Sequence, residues 1–327
     1  MITPHEKGTA VYTADTWPIA AKMNFGNRTP DGTHINEAPT SYWEGHIRQV
    51  VDLGYRAIDP IDDWIQLSEL PDARFAEFQR LIADHGLTVP GISFGRRSPV
   101  DVDHGVEHVD MMHRMLDRGA ELGAKILNVG FMQDLTPEQE KSLWFWHAPG
   151  HVDDSELRPL AVERIRELAD HAQQNGMEIS LEMYEDTYTG TAEDAVSFVK
   201  DCDHPAVGIN PDIGNLIRLH RPMPSYRSMF DLVLPHSNYW HIKNYLRDVD
   251  PATGAYFSAP APLESGLIDY RSIIRQALTL GYRGAFQTEH YGGDWLGVGA
   301  TNARYIREVL RGASDLIEAA SANDTRP

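Results

Sequence analysis

A single cysteine, Cys202, stands in 327 residues, so the chain has no intramolecular disulfide and no cysteine-rich zinc site. Basic residues are also scarce. The 29 lysines and arginines against 48 acidic residues leave a formal charge of -19, which argues against nucleic acid or an anionic membrane as the main partner and disfavours phosphorylated substrates. Apolar residues make up 42% of the chain, yet no stretch approaches ~18 uninterrupted apolar positions, as a membrane-crossing helix needs. The leading segment MITPHEKGTAVYTADTW lacks a basic region followed by an apolar run, so a soluble, unexported protein of the reducing cytoplasm is expected. The final SANDTRP is polar and is expected to fray. Nucleotide signatures are absent too: no Gly-x-Gly-x-x-Gly follows the first strand-like run, and no Gly-x-x-x-x-Gly-Lys-Ser/Thr occurs.

What is there is a repeated unit. Eight short apolar, β-branched runs are each followed by a loop and an amphipathic pattern: Lys22 to Gly26, Tyr55 to Ile61, Leu87 to Gly95, Lys125 to Phe131, Glu178 to Tyr184, Ala206 to Asp212, Tyr239 to Asn244 and Gly284 to Tyr291. Glycines punctuate the helix ends, as at Gly54 and Gly86. The recurrence predicts a (β/α)8 TIM barrel, an α/β fold, as one domain over residues 1–327, with a doubly wound open sheet as the competing arrangement. Two connections are long, Met132 to Glu156 and Tyr245 to Asp269, and loops of that length carry function or tolerated surface insertions.

Four consecutive predicted strands end in possible metal ligands: Glu182 in EISLEMYED, Asp212 in AVGINPDIGN, His241 in YWHIKNYLR and Glu289 in AFQTEHYGG. Taken singly, each carboxylate has a structural alternative, a salt bridge across the barrel mouth or a helix cap. Together, at the ends of adjacent strands, they converge on one point, where ionised groups in apolar runs need a counter-charge. Three carboxylates and one imidazole suit Mn²⁺ best, with Mg²⁺ or Co²⁺ also fitting. Glu185, Asp186 and His290 lie close in sequence and are expected to support the site or face solvent. The same YWHIKNYLR stretch delivers Lys243 and Arg247 toward that end as substrate-binding candidates.

This pattern resembles the sugar isomerase and epimerase superfamily with the xylose isomerase-like barrel, over nearly the whole chain. The resemblance implies that Glu182, Asp212, His241 and Glu289 hold the metal. It further implies that Glu182 and Glu289 exchange protons beside a sugar carbonyl, and that Arg247, six residues after His241, binds substrate or steadies a glutamate. One departure is Asn215, a substrate-binding candidate that can hydrogen-bond but carries no charge, which stands where the ketose 3-epimerases of that superfamily usually carry a histidine touching a sugar oxygen. The endonuclease branch does not fit, since AIDPIDDW and GISFGRR lack the extra histidines of a trinuclear zinc site.

The strand-four loop, LWFWHAPGH, adds Trp146 as a surface for stacking on a sugar or aromatic ring and His147 as an acid, with His151 as the alternative. Packing of the aromatics against the barrel, with solvated histidines, is the competing reading. With this loop, the chain is similar to the larger subunit of bacterial C-glycoside deglycosidases. That implies a metal-dependent carbon–carbon lyase acting on a 3-oxo-C-glycoside, with a small β subunit in a hetero-oligomer. Proton loss at C2 would let the bond from C1 to the aglycone break, with His147 protonating the departing carbon. The alternatives are a ketose 3-epimerase or sugar isomerase acting on a keto-sugar, and a noncatalytic sugar-binding barrel.

Overall fold

The computed structural model describes residues 12–318; the expectations for the first eleven residues and for the SANDTRP tail fall outside them. The first half of the chain runs β1 (Ile19–Lys22), α1 (Thr40–Asp52), β2 (Ala57–Asp59), α2 (Asp72–Asp84), β3 (Gly91–Ser93), α3 (Gly105–Glu121), β4 (Ile126–Val129), α4 (Pro137–Lys141) and α5 (Arg158–Gln174). It continues with β5 (Glu178–Glu182), α6 (Ala192–Cys202), β6 (Val207–Asn210), α7 (Gly214–Ile217), α8 (Tyr226–Val233), β7 (Trp240–Ile242), β8 (Asn244–Val249), β9 (Tyr256–Ala261), α9 (Tyr270–Thr279), β10 (Phe286–Thr288) and α10 (Trp295–Arg311).

Parallel pairing follows the order β2-β1-β10-β7 in one half and β3-β4-β5-β6 in the other. Single parallel bridges, Ala57 with Thr88 and Ile209 with Ser237, join the halves. The Ile58 N–H donates to the Thr88 carbonyl at 3.0 Å and the Asn238 N–H to that of Ile209 at 3.2 Å. The strands therefore close into the barrel that the repeat predicts, and an open doubly wound sheet is excluded. β8 and β9 stand outside it as an antiparallel hairpin, so the long connection after the seventh barrel strand carries its own ladder rather than an irregular loop.

Helices form where the apolar spacing says they should. α1 buries Trp43, Ile47 and Val50, and α3 buries Met111, Met112, Met115 and Leu116 against the barrel. Gly54 and Gly86, just past α1 and α2, adopt φ of 93° and 62°, the left-handed conformation that releases the chain into the next strand. The first strand differs from expectation: Ile19–Lys22 pairs with β10 and β2, and the chain has left the sheet beyond Met23. Its two alanines have weak strand propensity, so the run is chosen by close packing inside the barrel rather than by local preference.

The barrel interior is unusually polar near the carboxyl ends of the strands. Asp59, Ser93, Asn128, Asn210 and Gln287 are all buried, and they bond to one another. Asn210 Nδ2 donates to Asn128 Oδ1 at 3.0 Å, and Gln287 Nε2 to Asp59 Oδ2 at 3.0 Å. Gly91 opens β3 without a side chain because a Cβ there would lie 2.9 Å from Tyr239 Cζ; the absence lets the Tyr239 hydroxyl donate to Asp59 Oδ2 at 2.8 Å. Among the described residues no helix is long and apolar enough to cross a membrane.

Candidate metal centre

Strand register sets the centre. Glu182 ends β5 opposite Asn210 of β6, His241 lies mid-β7 opposite Gln287 of β10, Asp212 follows β6 after Pro211, and Glu289 follows β10 directly. Ligand atoms of Glu182, Asp212 and His241 all lie within 4.8 Å of one another, and all three residues are buried. His241 Nδ1 is 3.2 Å from Glu182 Oε2, 3.9 Å from Glu289 Oε2 and 4.0 Å from Asp212 Oδ2. The four residues named from their strand positions thus meet around a single imidazole nitrogen.

Each is held by neighbours the sequence did not single out. His241 Nε2 lies 2.9 Å from Ser93 Oγ, which donates at 2.6 Å to Asp59 Oδ2. This chain orients the ring and turns Nδ1 toward the carboxylates, the arrangement expected behind a ligating histidine. Glu182 accepts from Asn128 Nδ2 and from Asn215 Nδ2, each at 3.0 Å. Asn215 also donates to the Met183 carbonyl at 2.9 Å, so it braces Glu182 in this structure. Glu289 is gripped by Lys22 at 2.7 Å and Lys243 at 2.8 Å.

The electrostatics suit a cation. Burial pushes Asp212 up to about 6, with the neighbouring Glu289 and Glu182 adding to the rise and Lys243 opposing it. Burial also acts to raise Glu182, but the adjacent His241 and Lys243 outweigh it and hold the group at about 2. Glu289 stays well below the usual carboxylate range despite burial, because Lys22 and Lys243 flank it. Lys243 Nζ stands 2.7 Å from Asp212 Oδ2, while Oδ1 of the fully buried Asp212 accepts no hydrogen bond among the described residues. A buried carboxylate oxygen without a donor, beside two more carboxylates and an oriented imidazole, belongs to a donor set that suits a divalent cation.

Six other sequence-named residues lie outside the cluster. Arg247 makes no carboxylate contact; its guanidinium donates to the carbonyls of Ile217 at 2.8 Å, Arg221 at 2.5 Å and Leu219. Trp146 is buried rather than offered to solvent, stacked on Trp144 at 4.9 Å with Phe145 and Tyr245 edge-on. His147 is exposed on the rim, its ring 4.3 Å from that of His220. His290 is half-buried, Asp186 pairs with Arg221 at 2.8 Å, and Glu185 pairs with Arg218. Sequence reading missed Arg218, Lys22, Ser93 and Asp59; the available signal was a polar side chain set within an otherwise apolar strand or run, as in GNLIRLH.

Comparison with known proteins completes the picture. The family described as xylose isomerase-like TIM barrel matches residues 47–313. A xylose isomerase-like TIM barrel protein from Mycobacterium smegmatis, solved in complex with magnesium, is 58% identical, with 92% of this chain and 99% of that one covered and a TM-score of 0.91. More distant structures share the fold. A D-psicose 3-epimerase in the presence of D-fructose is 18% identical at a TM-score of 0.60, covering 90% of this chain and 96% of its own. A 3-keto-D-glucoside 4-epimerase from E. coli is 16% identical at 0.60, covering 89% and 99%. No curated protein matches the chain. With its closed barrel and a family match running from α1 to beyond α10, the chain belongs to the xylose isomerase-like TIM barrel family.

Proposed function

We propose that this protein is a divalent-metal-dependent sugar isomerase or epimerase, with Glu182, Asp212, His241 and Glu289 holding the cation. One observation carries the reading: in a cluster with Glu182 and His241 whose ligand atoms lie within 4.8 Å, the buried Asp212 leaves Oδ1 without a hydrogen-bond donor and meets the Lys243 ammonium, 2.7 Å away, at Oδ2. The magnesium complex of the Mycobacterium smegmatis relative supports a hard divalent ion; Mg²⁺ and Mn²⁺ both suit these donors. The epimerases among the structural relatives support the reaction class.

A cation bound there would polarise a sugar carbonyl and stabilise the charge left on its oxygen when the neighbouring carbon loses a proton. Glu182 and Glu289 are the proton carriers. Both are carboxylates at neutral pH, so either can accept a proton from the α-carbon and return it. Lys243 and Lys22 keep Glu289 ionised, and Asn128 and Asn215 fix the angle of Glu182.

The lyase reading has less behind it than the epimerase one, because its proposed acid, His147, is exposed on the rim with its ring 4.3 Å from that of His220. Of the relatives named above, the two with a stated reaction are epimerases. The deciding experiment is solvent exchange. Protein loaded with Mg²⁺ or Mn²⁺ in D₂O is expected to place deuterium beside the carbonyl of D-fructose, D-psicose or a 3-keto-D-glucoside, and to lose that activity on chelation and in Asp212→Asn. Aglycone release from a 3-oxo-C-glucoside without sugar interconversion would restore the lyase. Sugar binding with no exchange would leave a noncatalytic barrel.

A further inference from the structure

Arg218, just past α7, is fully buried. Its Nη2 donates to both oxygens of Glu185 at 2.9 Å. Nε and Nη1 are equally buried and meet no acceptor among the described residues, so three of the five guanidinium hydrogens make no hydrogen bond there. Tyr245 repeats the pattern, its buried hydroxyl also lacking a partner. A buried donor without an acceptor carries its full desolvation cost, and a bound water or ligand that supplies the missing atom relieves it.

The two residues share an aromatic enclosure that reaches the metal centre. Trp146 lies 5.1 Å from the Arg218 guanidinium and 5.5 Å from the Tyr245 ring, and Phe145 covers the guanidinium at 4.8 Å. Tyr291 then bridges to the cluster, 5.9 Å from Phe145 and 5.5 Å from Lys243 Nζ. Phe145 and Trp146 belong to a single short turn, Phe145–His147, in the long connection between β4 and α5. They form a roof over Arg218 that is separate from the strands bearing the ligands.

We infer that Arg218 and Tyr245 are the substrate-orienting donors, a subsite for neutral hydroxyl or carbonyl oxygens of the sugar, with Phe145 and Trp146 as a roof that lifts to admit it. The inference rests on the proposed sugar reaction. Glu185 already balances the guanidinium charge, so a neutral acceptor fits where a phosphate or carboxylate would bring an uncompensated charge into a buried site. Aromatic faces beside the donors suit the apolar C–H surface of a sugar ring. This subsite takes the place that the family resemblance assigns to Arg247, whose donors are spent on main-chain carbonyls.

The test uses the full chain with Mg²⁺ and the same three sugars, followed by deuterium exchange and by calorimetric sugar binding, in the parent protein, Arg218→Lys and Tyr245→Phe. Arg218→Lys keeps a cation for Glu185 and loses Nε and Nη1; Tyr245→Phe removes only a hydroxyl that bonds nothing in the fold. Expected is a rise of at least ~10-fold in KM in each variant, with Mg²⁺ affinity unchanged and the Tm of Tyr245→Phe no lower than the parent's. Exchange with unchanged KM in both variants, or a loss confined to Tm, would overturn the subsite and leave the proposed function standing. Sugar binding without exchange in the parent, weakened in both variants, would uphold the subsite and reject the reaction. Neither binding nor exchange in the parent would reject both.

Discussion

Lys243 Nζ stands 2.7 Å from Asp212 Oδ2, and both side chains are almost wholly buried. An ammonium is therefore built into the wall of the proposed metal centre, and it lies against a carboxylate oxygen that a cation would also seek. The lysine neutralises the cluster and at the same time opposes the bound ion. Removing it separates those effects.

Lys243→Met is expected to bind Mg²⁺ at least ~10-fold more tightly, since a unit charge a few ångströms from a dication is worth several kcal/mol even at an effective dielectric of about 20. Titration calorimetry of metal-free protein reads this directly. Unchanged or weaker binding would place the cation away from Asp212.

Ser93→Ala breaks the link between Asp59 and His241 Nε2 while leaving the four proposed ligands in place. Loss of a partner that orients a ligating histidine costs roughly 10- to 100-fold in metal affinity. The variant is expected to fold with normal ellipticity and to fall in that range. Parent-like affinity would mean that the ring is fixed by packing alone.

Arg247→Lys tests an assignment that the resemblance and the structure make differently. A lysine cannot reach the three carbonyls that the guanidinium fork serves. The expected result is a loss of about 1 kcal/mol, seen as a Tm lower by roughly 2–4 °C, with kcat/KM for the exchanging sugar held within about threefold. A large fall in kcat/KM at unchanged Tm would return Arg247 to the substrate.

Asp153 gives a pH prediction. Burial pushes its carboxyl up to about 7, against the opposing bond from the Tyr188 N–H; the side chain is 3% exposed, and His151 Nε2 is 3.5 Å away. Burial also lowers His151, leaving it neutral in mild alkali. The unfolded carboxyl titrates near ~3.9, so between that value and about 7 the folded state holds the extra proton. Stability contributed by this group therefore falls as pH rises through that window. Asp153→Asn keeps an acceptor for Tyr188, and it is expected to be more stable than the parent by roughly 2 kcal/mol at pH 8, with the gap closing toward pH 4. Urea unfolding at both values checks it, and equal stability at pH 8 would show that the carboxylate is well solvated.

Sequence by itself determined the barrel and its metal-ligand candidates. Strand, glycine and helix recur eight times, as a parallel barrel of this length requires, and Glu182, Asp212, His241 and Glu289 were legible because a charge at the end of an apolar strand needs a compensating partner. First-strand bounds were not legible, since the alanines of Ile19–Lys22 carry little strand preference and are selected by crowding inside the barrel. Tertiary structure alone decided which cations serve the site. Lys22, 267 positions before Glu289, meets it across the seam between β1 and β10, a pairing with no local signature. Arg247 and Arg218 look alike as arginines in apolar surroundings. Only the fold turns the first toward main-chain carbonyls and buries the second with unfilled donors, because which hydrogens are left over depends on every neighbour the closed barrel brings together.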